Sequence, residues 1–197
     1  MTTSPATDRK RSGPARARIL DAAAQHFYAD GIAATGIDVI TASAGVAKMS
    51  LYNNFASKAA LVEAYIEARH EEWLDLYRAR IAGTATAQDG VLAVFDAYID
   101  HAAAAYDHGF RGCGLLNAAA ELGADHPGRT AVRRHKEQVE RLLSEHLSKL
   151  AGPVTAQRLA QRLSFLLEGA MARAGLEGEP AQLLRAREFA AEMLAEL

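Results

Sequence analysis

This sequence has little that can cross-link, break a helix or cross a membrane. Its 197 residues include one cysteine, Cys113, so no internal disulfide can form and packing must hold the chain together. That usage fits a reducing compartment, and a cytoplasmic protein is expected. Only five prolines occur, which leaves long stretches free of helix breakers. Aromatic residues make up 7% of the chain, with a single tryptophan. No apolar run approaches the ~20 residues of a membrane-spanning helix. The basic start MTTSPATDRKRSG leads into no apolar segment of the secretion-signal kind. No run of alternating β-branched residues reads as a strand, and no fixed-period repeat is present. The seven histidines and one cysteine show no H-E-x-x-H or C-x-x-C spacing. There is no G-x-S-x-G, phosphate loop or dinucleotide fingerprint. No enzyme activity, metal or cofactor is expected.

What is present favours helix. Half of the residues are hydrophobic, with abundant Ala and Leu, so an all-α fold with a sizeable core is expected. Charge is unevenly placed. Residues 1–58 carry seven basic and four acidic side chains, a net of +3, while the rest of the chain has a net of −5. A polyanion would therefore be met by the N-terminal head. Residues 1–13 read as a disordered basic arm and 14–57 as a first domain. Residues 58–197 read as a larger helical domain, entered by the helix that starts at 58.

The first helix is expected over about 14–30, with Pro14 in its first turn and Gly31 after its end. Thr35 reads as an N-cap with Asp38 completing a capping box, followed by a helix over 36–43. Gly45 then makes a turn into a short helix over 47–54. Ser57 caps a long helix over 58–80. The segment 83–89 reads as a loop, and helices follow at about 89–107, 112–122, 127–150, 154–175 and 180–196. The helix, Gly45 turn and short helix form a helix-turn-helix. Val46, Leu51 and Phe55 face inward, leaving Lys48, Met49, Ser50, Tyr52 and Asn53 for a major groove.

The run TGIDVITASAGVAKMSLYNNFASKAALVEAYI, residues 35–66, resembles the DNA-binding region of the TetR family of transcriptional regulators. The matching positions are Thr35, Ile40, Ala44, Gly45, Val46, Lys48, Leu51, Tyr52, Phe55, Ser57, Lys58 and Leu61. The lead-in FYADG, residues 27–31, fits the same pattern. Four positions depart from it: Thr41 for Ala, Ala47 for Ser or Thr, Met49 for Gly, and Ala60 for an acid. The resemblance implies an N-terminal three-helix head that binds double-stranded DNA. It also implies a C-terminal domain that binds a small-molecule effector and forms a homodimer.

Chemistry and resemblance together assign roles. Lys48 and Lys58 would meet phosphate, Tyr52 a phosphate or sugar, and Thr35 a phosphate at a helix start. Ser50 and Asn53 would read base edges. A repressor released from a palindromic operator by a small, mostly apolar effector is expected. The alternative is a sensor of the same fold whose DNA binding is weak or vestigial.

An effector pocket would draw on Trp73, Tyr77, Phe95 and Tyr98, with Phe110, Cys113, Asn117 and Phe165. The last two helices would form the dimer face, through Leu159, Leu163, Leu166, Leu167 and Ala170 on one and Leu184 and Phe189 on the other.

Overall fold

A computed structural model describes residues 14–103 and 109–197. The arm expected over 1–13 and the end of the helix expected to reach 107 lie outside the described residues. Among those residues the chain forms nine α-helices and no strand. They are α1 (Pro14–Ala29), α2 (Ile37–Ala44), α3 (Lys48–Asn54), α4 (Lys58–Ile81), α5 (Ala87–Ala103), α6 (Gly114–Glu121), α7 (Pro127–Leu147), α8 (Pro153–Glu177) and α9 (Ala181–Ala195).

Helices α1–α3 make the head. Ile19, Ala23 and Phe27 of α1 bury against Ile40, Leu51 and Phe55. The Phe27 ring meets Tyr65 of α4 edge-on, centroids 5.5 Å apart, so the head core runs directly into the next helix. The body packs α4 on α5 and α7, α7 on α8, and α8 and α5 on α9. One hydrophobic cluster extends from Ile19 to Leu194.

Helix boundaries follow local chemistry. Ser57 Oγ accepts from the Ala60 amide (3.1 Å), capping α4 as expected. Helix α7 starts on Pro127, with the His126 ring accepting from the Gly128 amide. Three expectations need correction. Helix α2 is entered through Gly36, with no side-chain cap. Thr35 is instead turned inward, its hydroxyl donating to the carbonyls of Gly31 (2.6 Å) and His26 (3.2 Å). Helix α5 begins at Ala87 because Thr86 and Asp89 cap it reciprocally: each backbone amide donates to the other's side chain. Helix α7 stops at Leu147, and 148–151 form a turn.

Two glycines are required. Gly45 closes α2 in the left-handed region (φ 61°), with its own amide and that of Val46 donating to Ala42 and Thr41 carbonyls. Gly175 of α8 lies against the backbone of Gly112, where an added Cβ would come within 2.6 Å of the Gly112 Cα. Helix α8 therefore touches the loop that precedes α6.

The core also holds polar groups. His135 of α7 and His101 of α5 are buried. Burial, with Lys136, His70 and His101 nearby, pushes His135 down to about 2. Burial, with Arg69 and Lys136, pushes His101 down to about 4. Both are neutral in the folded chain at pH 7, whereas in the unfolded chain they titrate near 6.5. Unfolding therefore takes up protons below that value. Stability is level above about pH 6.5, then falls by about 1.4 kcal/mol per pH unit per histidine as the pH drops further. Urea midpoints between pH 7.5 and 5 will show this loss. His135→Gln will remove about one proton from the slope, and an unchanged slope would exclude His135 as a cause.

Candidate nucleic-acid interface and buried cavity

Helix α3 has seven residues, too few to hold together alone in water. Its inner face fixes it: Leu51 is fully buried, and Phe55, just past its end, lies under the Arg16 guanidinium, 4.2 Å from the ring centroid. Arg18 donates to the Gly45 carbonyl at 3.4 Å and ties α1 to the turn. The outer face is free. Lys48, Tyr52 and Asn53 are exposed, and Met49 projects furthest, at 70% exposure. Ser50 is half-buried, and its carbonyl accepts from the Asn54 side chain at 2.8 Å. Ala47 offers no side-chain cap. The Lys48 ammonium is 2.8 Å from Asp38 of α2, and that hydrogen bond raises it above the ordinary lysine range. Lys58 sits half-buried at the start of α4. Five of the six residues expected at DNA thus lie on α3 or the first turn of α4. Thr35 is the exception, since it is 2% exposed and its hydroxyl is used internally.

The body contains a cavity of about 20 Å³ lined by Arg69, Trp73, Tyr98, His101, Cys113, Gly114, Leu115 and His135. Of the residues expected at an effector pocket, Trp73, Tyr98 and Cys113 line this cavity. Tyr77 lies one layer out, its ring stacked on Trp73 and its hydroxyl 2.8 Å from His146. Phe95 and Phe110 are buried but not among the lining residues. Asn117 is spent on the backbone, donating to the Arg111 carbonyl at 3.0 Å. Phe165 is 66% exposed on the outside of α8 and cannot line this cavity.

Sequence reasoning missed the charged side of this region. Lys136 of α7 lies 2.8 Å from Glu168 of α8 and donates to the Tyr98 hydroxyl (3.3 Å) and to Cys113 Sγ (3.5 Å). Burial opposes its charge, but Cys113, Tyr98 and Glu168 outweigh burial and hold the ammonium above the ordinary range. Since Tyr98 accepts from Lys136, its proton is left for His135 Nε2 (3.4 Å), and His135 Nδ1 then donates to His70 (2.9 Å). The missed signal was register: Val132, His135, Val139, Leu143 and Leu147 form one buried stripe, which places His135 on the apolar face of α7.

A set of polar contacts joins cavity to head. The Tyr28 hydroxyl donates to the Gly112 carbonyl (3.1 Å) and accepts from the Arg111 amide (2.5 Å). The Arg111 guanidinium donates to the carbonyls of Tyr28 and Ala29, at the negative end of α1. Glu121, at the far end of α6, accepts from the amides of Ile32 (2.9 Å) and Ala33 (2.7 Å).

The last two helices offer an outer apolar groove lined by Phe165, Leu166, Gly169, Ala170 and Phe189, with Arg173 and Arg185. Leu184 is also exposed. Leu159, Leu163 and Leu167 are buried inside the chain's own core, which removes them from the expected dimer face.

Comparison with known proteins agrees with this geometry. The family model described as "Bacterial regulatory proteins, tetR family" matches residues 19–65, which span most of α1 through the first part of α4. The HTH-type transcriptional regulator TtgR of Pseudomonas putida is 41% identical over 64 residues, 32% of this chain and 30% of that protein. The match thus spans less than a third of that relative's length. A crystal structure of a TetR-family transcriptional regulator from Streptomyces coelicolor is 32% identical, covers 92% of this chain and 94% of its own, and has a TM-score of 0.82. A TetR transcriptional regulator from Chloroflexus aurantiacus is 26% identical over 92% of this chain and 94% of its own, with a TM-score of 0.79. With the helix-turn-helix, the body and a relative matched over nearly its whole length in agreement, this chain belongs to the TetR family of DNA-binding transcriptional regulators.

Proposed function

We propose that the protein is a repressor that holds a palindromic operator as a homodimer and is released by a small, mostly apolar effector bound in the body. The observation that carries this reading is the bridge from cavity to head. Cys113 and Gly114 line the cavity, and Arg111 and Gly112, just before them, bond to the end of α1. The cavity holds little more than one water-sized molecule. A larger effector therefore enters only a form whose helices have moved apart, and that difference in affinity lets it shift a conformational equilibrium. Trp73 is the only tryptophan and lines the cavity, so its fluorescence reports entry. Planar apolar compounds that quench Trp73 will weaken operator binding. Tight quenchers that leave operator affinity unchanged would overturn the coupling.

At the DNA, Lys58 and Lys48 serve as phosphate contacts, Tyr52 as a phosphate or sugar contact, and Ser50 and Asn53 as base readers. Lys58→Ala will weaken binding to all sequences alike and reduce the salt slope by about one. Asn53→Ala will cost about 1–3 kcal/mol on the best operator and relax base preference. Titrations of operator variants at two salt concentrations separate these outcomes, and the reverse pattern would overturn both roles.

One short recognition helix reads too few base pairs for useful selectivity, and a two-fold dimer doubles the site. The face proposed for this dimer is the α8–α9 groove, with Phe165, Leu166, Ala170, Leu184 and Phe189. Single exposed apolar residues are ordinary, but a groove carrying two phenylalanines and a leucine, with Leu184 also exposed on α9, matches the apolar centre of an interface. Phe165→Glu combined with Phe189→Glu will give a monomer in sedimentation with its helix content intact. A variant that remains dimeric would move the interface elsewhere.

A further inference from the structure

We infer that Cys113 is an oxidation site for a small hydroperoxide, with Lys136 and Trp73 as its positioning donors. Two independent features meet in the cavity that Cys113 lines. The Lys136 ammonium donates to Sγ from 3.5 Å and is fixed there by Glu168 and the Tyr98 hydroxyl. Trp73 lines the same cavity, is 3% exposed, and its indole N–H meets no acceptor among the described residues. A buried donor without an acceptor is costly, and an acceptor atom in the cavity that Trp73 shares with Cys113 would satisfy it.

Size decides the class of oxidant. A cavity of about 20 Å³ exceeds the ~10–15 Å³ that one water needs, so it admits a molecule of one or two oxygen atoms. Hydrogen peroxide fits that limit, and bulky electrophiles do not. Its oxygens can accept from the Trp73 N–H, and its O–O bond is the electrophile a thiolate requires. In the reaction Cys113 gives up its thiol proton, and Sγ attacks the nearer oxygen. The S–O bond forms and the O–O bond breaks as two electrons pass from sulfur to peroxide. The departing oxygen takes a proton from the Lys136 ammonium, which regains one from the proton released by the thiol. The net change is thiol plus hydrogen peroxide to sulfenic acid plus water. The Lys136 ammonium supplies the proton to the leaving oxygen.

The site lies where such a change can be felt. Cys113 is the N-cap of α6 and follows Arg111 and Gly112, which hold the end of α1. An added oxygen on Sγ crowds Lys136 and Tyr98 and displaces the start of α6. That consequence for DNA binding rests on the repressor reading above, whereas the oxidation itself does not.

The test uses the full chain, hydrogen peroxide and dimedone, which traps sulfenic acids for mass spectrometry. Native protein will be labelled at Cys113 at least about tenfold faster than the same chain unfolded in urea. Trp73→Phe will slow labelling about threefold, and Lys136→Gln combined with Glu168→Gln will bring it to the unfolded rate. The paired substitution avoids leaving Glu168 buried without its cation. tert-Butyl hydroperoxide will react more slowly than hydrogen peroxide with the native protein. A native rate at or below that of the unfolded chain would overturn the site, whether or not the double variant folds. Operator titration of the oxidised protein is read separately. Changed affinity supports the link to DNA, and unchanged affinity overturns that link while the oxidation stands.

Discussion

Much of this structure depends on one hydroxyl. Tyr28, at the end of the first helix, donates to one backbone carbonyl of the 111–112 loop and accepts from the neighbouring amide. Burial pushes that phenol up, so it stays protonated and able to do both. Arg111 adds a positive charge at the negative end of α1, and Glu121 takes the first amides of the following loop. These contacts lie between residues more than eighty apart in sequence. They hold the head to the body through α6 as well as through the continuous helix α4. Gly112 also rests on Gly175 of α8 with no room for a side chain between them. The loop therefore touches head, cavity and one of the two outer helices at once. A shift at any of them must be accommodated by the others, because packed interiors do not deform freely.

The architecture was legible in the sequence to the extent that it rests on short-range signals. Gly45 and Ser57 act locally, through a left-handed turn and a hydroxyl cap, and each marks the boundary it was read to mark. Thr35 misled because Gly36 is also able to enter a helix, and the hydroxyl found a better partner in the Gly31 carbonyl. The outward face of α3 was legible because Leu51 and Phe55 fix its register. The cavity was only partly legible. Trp73, Tyr98 and Cys113 are chemically conspicuous, whereas Lys136 and Glu168 look like ordinary surface charges until α7 and α8 pack together. Phe165 shows the opposite case: an aromatic residue read as a pocket wall faces outward, since its neighbours Ser164 and Leu167 take the inner positions of α8.

The interior of the body is unusual in its mixture of charge and apolar packing. Trp73 and Tyr77 stack with planes 4° apart, and Trp73 meets His135 edge-on. Against these rings sit a buried ammonium with its carboxylate, and an arginine, Arg69, 2.7 Å from Glu72. An all-apolar core of the same volume would be at least as stable, since burying ion pairs rarely adds net stability. The polar set does impose geometry. Each donor has one direction in which it is satisfied, so α5, α7 and α8 are locked in register around Tyr98. The Trp73 N–H, which finds no acceptor among the described residues, is the point at which that locked set remains incomplete.

The recognition helix shows the reverse arrangement, with few internal constraints of its own. It has seven residues, no side-chain cap and one fully buried residue. A helix this short draws its stability from packing, so its pose is set by what it rests on. That support is mostly α1, with Arg16 over Phe55 and Arg18 on the Gly45 carbonyl. The same α1 ends at Tyr28, where the body takes hold. A capping Ser or Thr in place of Ala47 would give α3 local stability worth roughly 0.5–2 kcal/mol and make it less dependent on α1. Its absence, with Lys48 held by Asp38 of the neighbouring helix rather than by its own turn, ties the DNA-facing surface more closely to the position of the first helix. The departure at Ala47 thus bears on how the head is held. A weakly self-supporting α3 on a firmly clamped α1 is a helix whose pose follows the contacts that α1 makes with the body.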